Sequence, residues 1–341
     1  RFPSDEPINL SSPAVTTFYN NQYKYFLQYV LGLQEVETIH PDARNHGTYL
    51  HRVFELVMKD ASNQPFDNKL DRAIQTTNAE DAFKFIYEED EESRYSLTVL
   101  EDIARSTATI LRQDTQIQVE NEEEPFELML ANAVRIRGII DRVDRLSDGS
   151  LGVVDYKSSN NTFDIQKFYN GLNPQLVTYM QALRDKKIKS ESDKIFGAMY
   201  LHMQEPKVDL SSVTTTEKIL ENLSKELRYR GLFLEDEKGY LSNGNYHLND
   251  SVYTQEELDI LLAYNQKLFL QAAEQIKQGY FLINPYSEDG KTVKGDQLKA
   301  ITRFEADRHM PYARKWFKLP RKDRRQGFLS LMQEEEEKDD L

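Results

Sequence analysis

Asp141, Asp155 and Lys157 are the side chains whose types and spacing point most directly to chemistry. They sit in Arg137-Gly-Ile-Ile-Asp141-Arg-Val-Asp144-Arg-Leu, followed by Ser147-Asp-Gly-Ser and Leu151-Gly-Val-Val-Asp155-Tyr-Lys157-Ser158. Alternating Val and Ile around a short polar break predict a β-hairpin, with Gly149 in the left-handed position of a three-residue turn. In that register Leu146 faces Ser150, so counting back in pairs sets Asp141 opposite Asp155. Alternation then puts Asp141, Asp155 and Lys157 on one half-buried face, beside Ile139, Val143 and Val153. Opposed carboxylates repel unless a cation lies between them. A divalent ion such as Mg²⁺, which takes oxygen ligands and keeps waters, suits that position and leaves room for a phosphate and an attacking water. Lys157 would orient or help deprotonate that water. The competing reading is ordinary ion pairing, Asp141 with Arg142 or Arg137 and Lys157 with Asp155.

Two further groups stand near helix ends. Gly47-Thr-Tyr-Leu-His51-Arg-Val-Phe-Glu55 falls in a predicted helix, Tyr49 to Met58, where His51 and Glu55 share a face. In Asn173-Pro174-Gln175-Leu-Val-Thr-Tyr179, Asn173 suits an N-cap and Pro174 the first helical position. That would present Gln175 in the first turn, a good place for a phosphate, with Tyr179 one turn on.

The elements that must position these groups follow from periodicity. A helix with an aromatic face is expected over Ser12 to Leu33, more helix up to about Arg112, and strands from Gln116 to Lys157. Helices follow at Pro174 to Arg184, Thr214 to Tyr229 and Gln255 to Gln278, with a strand at Ile195 to Met203. The fold class is therefore α/β or α+β, a small central mixed sheet flanked by many helices. We expect a single domain over 1–341 with its core at about 43–205, flanking segments 1–42 and 280–325 packed together, and an acidic tail, disordered from about 326 to 341.

Composition narrows the chemistry. The chain has no cysteine, which excludes disulfides, thiolate nucleophiles and sulfur-ligated zinc or iron-sulfur sites. A formal charge of −14 argues against coating nucleic acid by charge alone. The charge is unevenly placed, however, with a basic stretch from Lys299 to Arg325 suited to phosphate or to a partner. No apolar run is long enough for a membrane span and no secretory signal opens the chain, so a soluble, cytoplasmic protein is expected. Gly290-Lys291-Thr292 ends like a phosphate-binding loop, but Pro285 stands where its first glycine belongs, so no ATP site is expected here.

In this order the motifs resemble those of the RecB-like branch of the PD-(D/E)xK nucleases: Gly47-Thr-x-x-His51, Gly138-x-Ile-Asp141-Arg-x-Asp144, Asp155-Tyr-Lys157-Ser158 and Gln175-Leu-x-x-Tyr179. The resemblance implies a restriction-endonuclease-like core and a metal site of His51, Asp141, Asp155 and the carbonyl of Tyr156. It also implies Lys157 as catalytic lysine, with Gln175 and Tyr179 supporting substrate and site geometry. Mg²⁺ is the implied ion, with Mn²⁺ as a substitute. The flanks, Asn21 to Phe26 and Thr302 to Glu305, resemble the segments that carry iron-sulfur cysteines in AddB-type subunits. Here those positions are Asn21, Val293, Asp296 and Thr302, so the likeness is to the cluster-free RexB type. Packing of Tyr23 and Phe26 against Phe304 or Tyr280 is expected in place of a cluster. The resemblance implies the C-terminal nuclease domain of a longer subunit, paired with an AddA- or RexA-like helicase-nuclease and degrading the 5′-ended single strand of DNA during double-strand-break repair. A catalytically silent DNA-binding scaffold and a free-standing single-strand exonuclease stay open as alternatives.

Overall fold

The computed structural model describes residues 6–33, 41–113, 116–188, 192, 194–204, 215, 218, 222, 224–293 and 299–339. Its centre is a seven-stranded mixed sheet, wider than the small sheet expected. β1 (Ile8–Leu10) runs parallel to the start of β3 (Val134–Leu146), while β2 (Ile117–Leu130) lies antiparallel along β3. β3 then pairs antiparallel with β4 (Leu151–Lys157), and β4 parallel with β5 (Ile195–His202). β6 (Arg230–Leu234) and the short β7 (Val252–Tyr253) complete it. β4 is buried on both faces up to Tyr156, as a central strand between two helical layers must be.

One layer holds α1 (Ser12–Asn20), α8 (Gln175–Arg184) and α9 (Gln255–Lys277) against Ile136, Val143 and Val153. The other holds α3 (Ala43–Lys59), α4 (Phe66–Ala79), α5 (Asp81–Tyr87) and α6 (Glu91–Gln113) against Val154, Tyr156 and Met199. α3 starts earlier than its apolar spacing suggests because Asp42 caps it. The Asp42 carboxylate accepts from the N–H groups of Arg44 and Asn45, and Asn45 returns the bond to the Asp42 N–H.

The hairpin turns where its sequence requires. Gly149 has φ +90° and donates to the Leu146 carbonyl, and the Leu146 N–H donates to Ser150 O. The β3/β4 pairs run from Arg145 opposite Leu151 to Arg142 opposite Val154, a register whose next pair is Asp141 and Asp155.

Several expected boundaries shift. The single helix over Ser12 to Leu33 breaks at Asn21, whose backbone is extended and whose side chain caps α2 (Gln22–Tyr25); a π-helical turn follows at Phe26–Val30. The Thr214 to Tyr229 helix lies largely outside the described residues. The stretch read as an acidic tail begins as a helix, α10 (Arg324–Asp339), and buries Phe328, Leu329 and Met332 in the core. Glu335 receives the Tyr169 hydroxyl at 2.6 Å and lies 3.4 Å from Lys267. The flanks meet through Phe26 and Phe281, ring centroids 4.9 Å apart, rather than through Phe304 or the exposed Tyr280. Tyr23 N–H donates to Leu282 O, and Gln22 and Asn284 exchange side-chain bonds across the same seam.

Candidate functional site

Asp155, on the last turn of side chains in β4, is 2 % exposed. A carboxylate so buried needs compensation, and both oxygens receive it. Oδ1 accepts from Gln175 Nε2 at 2.9 Å and from the Tyr179 hydroxyl at 3.1 Å, while Gln175 also donates to Tyr179 at 2.8 Å. Oδ2 lies 2.5 Å from Lys157 Nζ as an ion pair, with no hydrogen-bond donor aligned on it. Burial and the nearby Asp155 charge hold the Tyr179 phenol well above its ordinary range, so it stays a donor. Lys157 Nζ also sits 5.7 Å from the centre of the Tyr200 ring on β5.

Asp141 reaches across the end of the hairpin, where its Oδ2 accepts from the Tyr156 N–H at 2.7 Å. Burial first, and then the Asp155 charge, push its carboxyl up, to about 8. His51 projects from α3 with Nδ1 3.6 Å from Asp141 Oδ2 and Nε2 2.9 Å from Tyr156 O. Since a carbonyl only accepts, Nε2 carries the hydrogen there. Burial lowers the imidazole's affinity for a proton despite Asp155, so the ring is a neutral group. Glu55, one turn on, is taken by Arg52 at 2.9 Å and Lys59 at 2.6 Å and does not join Asp141.

His51, Asp141 and the Tyr156 backbone thus form one contact group; Asp155, Lys157, Gln175 and Tyr179 form a second, joined to it through consecutive residues of β4. Among the described residues, no three imidazole or carboxylate groups approach closely enough to hold a metal as they stand. Oδ2 of Asp155 is matched by the Lys157 ammonium instead. Gly47, early in α3, packs on Ser158: a Cβ there would stand 3.3 Å from the serine Oγ. The two motifs that flank the site therefore touch each other.

Three details of the sequence reading need correction. Ile139 is 55 % exposed and does not lie beside Val143 and Val153; Ile140 takes that place in the core. Side-chain alternation in β3 is interrupted at Asp141, because Ile140 and Arg142, two residues apart, serve opposite layers. Pro174, not Asn173, occupies the cap of α8, and Asn173 instead donates to Thr162 O. Of the alternative ion pairs, Asp141 takes neither arginine: Arg137 pairs with Glu127 and Arg142 with Asp144. Lys157 and Asp155 do pair, but inside the protein.

Gly290-Lys291-Thr292 is closed to phosphate by its own chain. The Asp289 carboxylate accepts from the N–H groups of Lys291 and Thr292, which hold its pKa far below the usual range, so an anion already fills that small cradle.

A central acid on a buried strand, a lysine two residues on, and a second acid across a hairpin make up one arrangement. The family model of the PD-(D/E)XK nuclease superfamily matches residues 9–291. The chain belongs to this superfamily. It is 70 % identical over its full length to a subunit of the ATP-dependent helicase/deoxyribonuclease of Streptococcus mutans, covering 32 % of that protein. The same-named subunits of Streptococcus agalactiae serotype III and Streptococcus pyogenes serotype M49 are 65 % and 55 % identical, over 100 % and 98 % of this chain and 32 % and 31 % of theirs. The chain spans about a third of the length of the curated relatives it matches.

Within this nuclease fold, two groups escaped the sequence reading. Arg142 is 0 % exposed; it grips Asp144 with Nε and Nη2 at 2.8 and 2.7 Å and donates to the hydroxyls of Tyr156 and Tyr229. The signal was present, an Arg and an Asp at period two inside an apolar strand, which can only be buried together. Tyr200, paired in register with Asp155, had none, since the β4/β5 pairing is not local.

Proposed function

We propose that this chain is a metal-dependent deoxyribonuclease that hydrolyses phosphodiester bonds of single-stranded DNA. The observation that carries this reading is the buried Asp155, one oxygen fixed by Gln175 and Tyr179 and the other facing Lys157, beside a second carboxyl that its charge keeps protonated. The donor set suits a hard divalent cation, Mg²⁺ or Mn²⁺: two carboxylates, the Tyr156 carbonyl and a neutral imidazole. When bound, such an ion supplies an activated water and stabilises the leaving oxygen.

The chain's own residues would do the rest. Asp141 gives up its proton as the site is loaded. His51 releases Tyr156 O, shifting its hydrogen from Nε2 so that a lone pair is free. Lys157, freed from Asp155 Oδ2, turns its ammonium to the attacking water or the phosphate oxygen. Gln175 and Tyr179 keep Asp155 in one orientation, as partners of a metal-ligating carboxylate do.

The names of the relatives support a place as the nuclease portion of one component of a two-component, ATP-driven helicase-nuclease, acting exonucleolytically on strands unwound during recombinational repair. The ATP would then be bound elsewhere in that assembly. The test is cleavage of a labelled single strand with Mg²⁺ or Mn²⁺ by the parent, Asp141→Asn and Lys157→Ala chains. Activity in the parent with at least about a thousandfold loss in both variants is expected for groups acting as one unit. Equal cleavage by any variant and the parent would reject the assignment.

A further inference from the structure

The site described above is acidic and sits in a chain of net charge −14, so a polyanion must be held by some other surface. Between Arg314 and Arg325 there are seven basic residues and one acid, Asp323. Two of the seven are committed to structure: Arg314 donates to Tyr19 O with its guanidinium over the Tyr19 ring, and Arg325 pairs with Glu257. Lys315, Lys318, Arg321 and Lys322 are exposed and make no ion pair among the described residues. Unpaired surface cations in an acidic protein are surplus to stability, since a pair within reach of so many acids would form at little cost.

Aromatic rings are interleaved with these charges. Tyr312 is 71 % exposed, Phe317 is 45 % exposed, and Lys318 Nζ lies 5.7 Å from the centre of the Trp316 ring. Charge for a backbone and rings for bases are the two components of a single-strand surface. The segment is also held in a fixed place. The side chain of Asn170 brackets Phe317, accepting from its N–H and donating to its carbonyl, both at 3.0 Å. Arg314–Lys315 adds a parallel strand to Tyr286–Ser287. Asn170 precedes Gln175 by five residues, so the bracket stands within about 18 Å of the amide that holds Asp155, a few nucleotides of extended strand.

We infer that the segment from Tyr312 to Lys322 is a single-stranded nucleic-acid track that delivers the substrate to the Asp141/Asp155 site, its cations on phosphates and Tyr312 and Phe317 as stacking platforms. This deepens the nuclease reading and rests on it for the direction of travel, but the binding it asserts is measurable without catalysis. An acidic protein surface is the rival occupant of the same charges, and the test separates the two.

The combined substitution Lys315→Glu, Lys318→Glu, Arg321→Glu and Lys322→Glu is compared with the parent for binding a fluorescent oligothymidylate of about 20 nucleotides by anisotropy in EDTA, over a range of salt. Affinity falls at least about thirtyfold, and the slope of log affinity against log salt flattens by about 3, four phosphate contacts at about 0.7 each. Tyr312→Ala weakens binding about tenfold with the salt slope intact, as loss of a stacked base predicts. If the quadruple variant does not fold by circular dichroism, Lys315→Gln with Lys318→Gln replaces it, with a slope change of about 1.4. Unchanged affinity and slope in a folded variant overturn the track and leave the basic segment to a protein partner. With Mg²⁺ added, the ratio of kcat/KM for the oligonucleotide to that for thymidine 5′-p-nitrophenyl phosphate should fall at least about tenfold in the charge-reversed chain. A parent that hydrolyses neither substrate refutes the nuclease reading alone, because the anisotropy result stands without it.

Discussion

At the scale of single residues, the site is a problem in charge compensation that the protein solves twice. Asp155 is neutralised by Lys157, and Asp141 is neutralised by a proton, because burial and its neighbour make ionisation costly. The second solution makes stability depend on pH, and the sign can be worked out. A carboxyl with its folded pKa raised to about 8 binds a proton over a range in which the unfolded chain has released it. Folded protein is thus favoured at low pH, and this contribution is lost as pH rises from about 4 through about 8. Glu122, whose buried carboxyl is pushed to about 7, acts in the same direction, so the isolating comparison is with Asp141→Asn. In EDTA, the melting temperature of the parent relative to Asp141→Asn should fall between pH 5 and 9, and Mg²⁺ should restore more of it at pH 9 than at pH 6. A pH-independent difference would place the Asp141 proton elsewhere. Tyr179→Phe removes one of two donors to Asp155 Oδ1 and leaves Gln175 in place. A lost hydrogen bond to a charged group is worth about 1.5–3 kcal/mol, so cleavage should slow by about ten- to a hundredfold without loss of fold.

At the scale of elements, local chemistry was readable and long-range pairing was not. The hairpin register follows from the Ser147-Asp148-Gly149 turn alone, and the structure pairs Val143 with Val153 as that turn requires. Likewise the His51 helix follows from its own apolar spacing, and α8 was placed to within one residue at its cap. What the sequence did not disclose depends on partners far along the chain. Tyr200 stands beside Asp155 only because β5 pairs with β4, and Arg142 has a place to go only because Tyr229 arrives just before β6. The break in alternation at Asp141 belongs to the same class: strict period two assigned Ile139 to the core, whereas the demand of Arg142 for a buried acid turns the strand. That demand is testable. Asp144→Ala leaves a guanidinium buried with only two hydroxyls, a loss of about 3–5 kcal/mol by urea unfolding. The double change Arg142→Met with Asp144→Leu should recover most of that loss. Failure of the double variant to exceed the single would show that the pair serves packing rather than charge.

At the scale of the whole molecule, the two ends of the chain close on each other across the core. Segments about 255 residues apart in sequence meet where Phe26 stacks near Phe281, Tyr23 bonds Leu282, and Gln22 reaches both Asn284 and Gln275. Asn21, the position at which AddB-type relatives are expected to carry a metal-ligating cysteine, is here buried and spends its side chain capping α2. The seam is therefore held by rings and amides, a clamp whose strength scales with area and not with a cofactor. A clamp of this kind yields gradually, which separates it from a site component. Phe281→Ala removes the ring that both Tyr25 and Phe26 approach, and because that ring is only partly buried the loss should be about 2 kcal/mol, less than for a core phenylalanine. Melting should drop by a few degrees for a chain of this size. Single-strand cleavage at about 20 °C, far below the transition, should stay within about twofold of the parent, since no atom of Phe281 reaches the Asp141/Asp155 centre. A variant that keeps its melting temperature yet loses cleavage would mean that the flanks act on the site itself, and that the closure of the chain is part of the chemistry rather than its support.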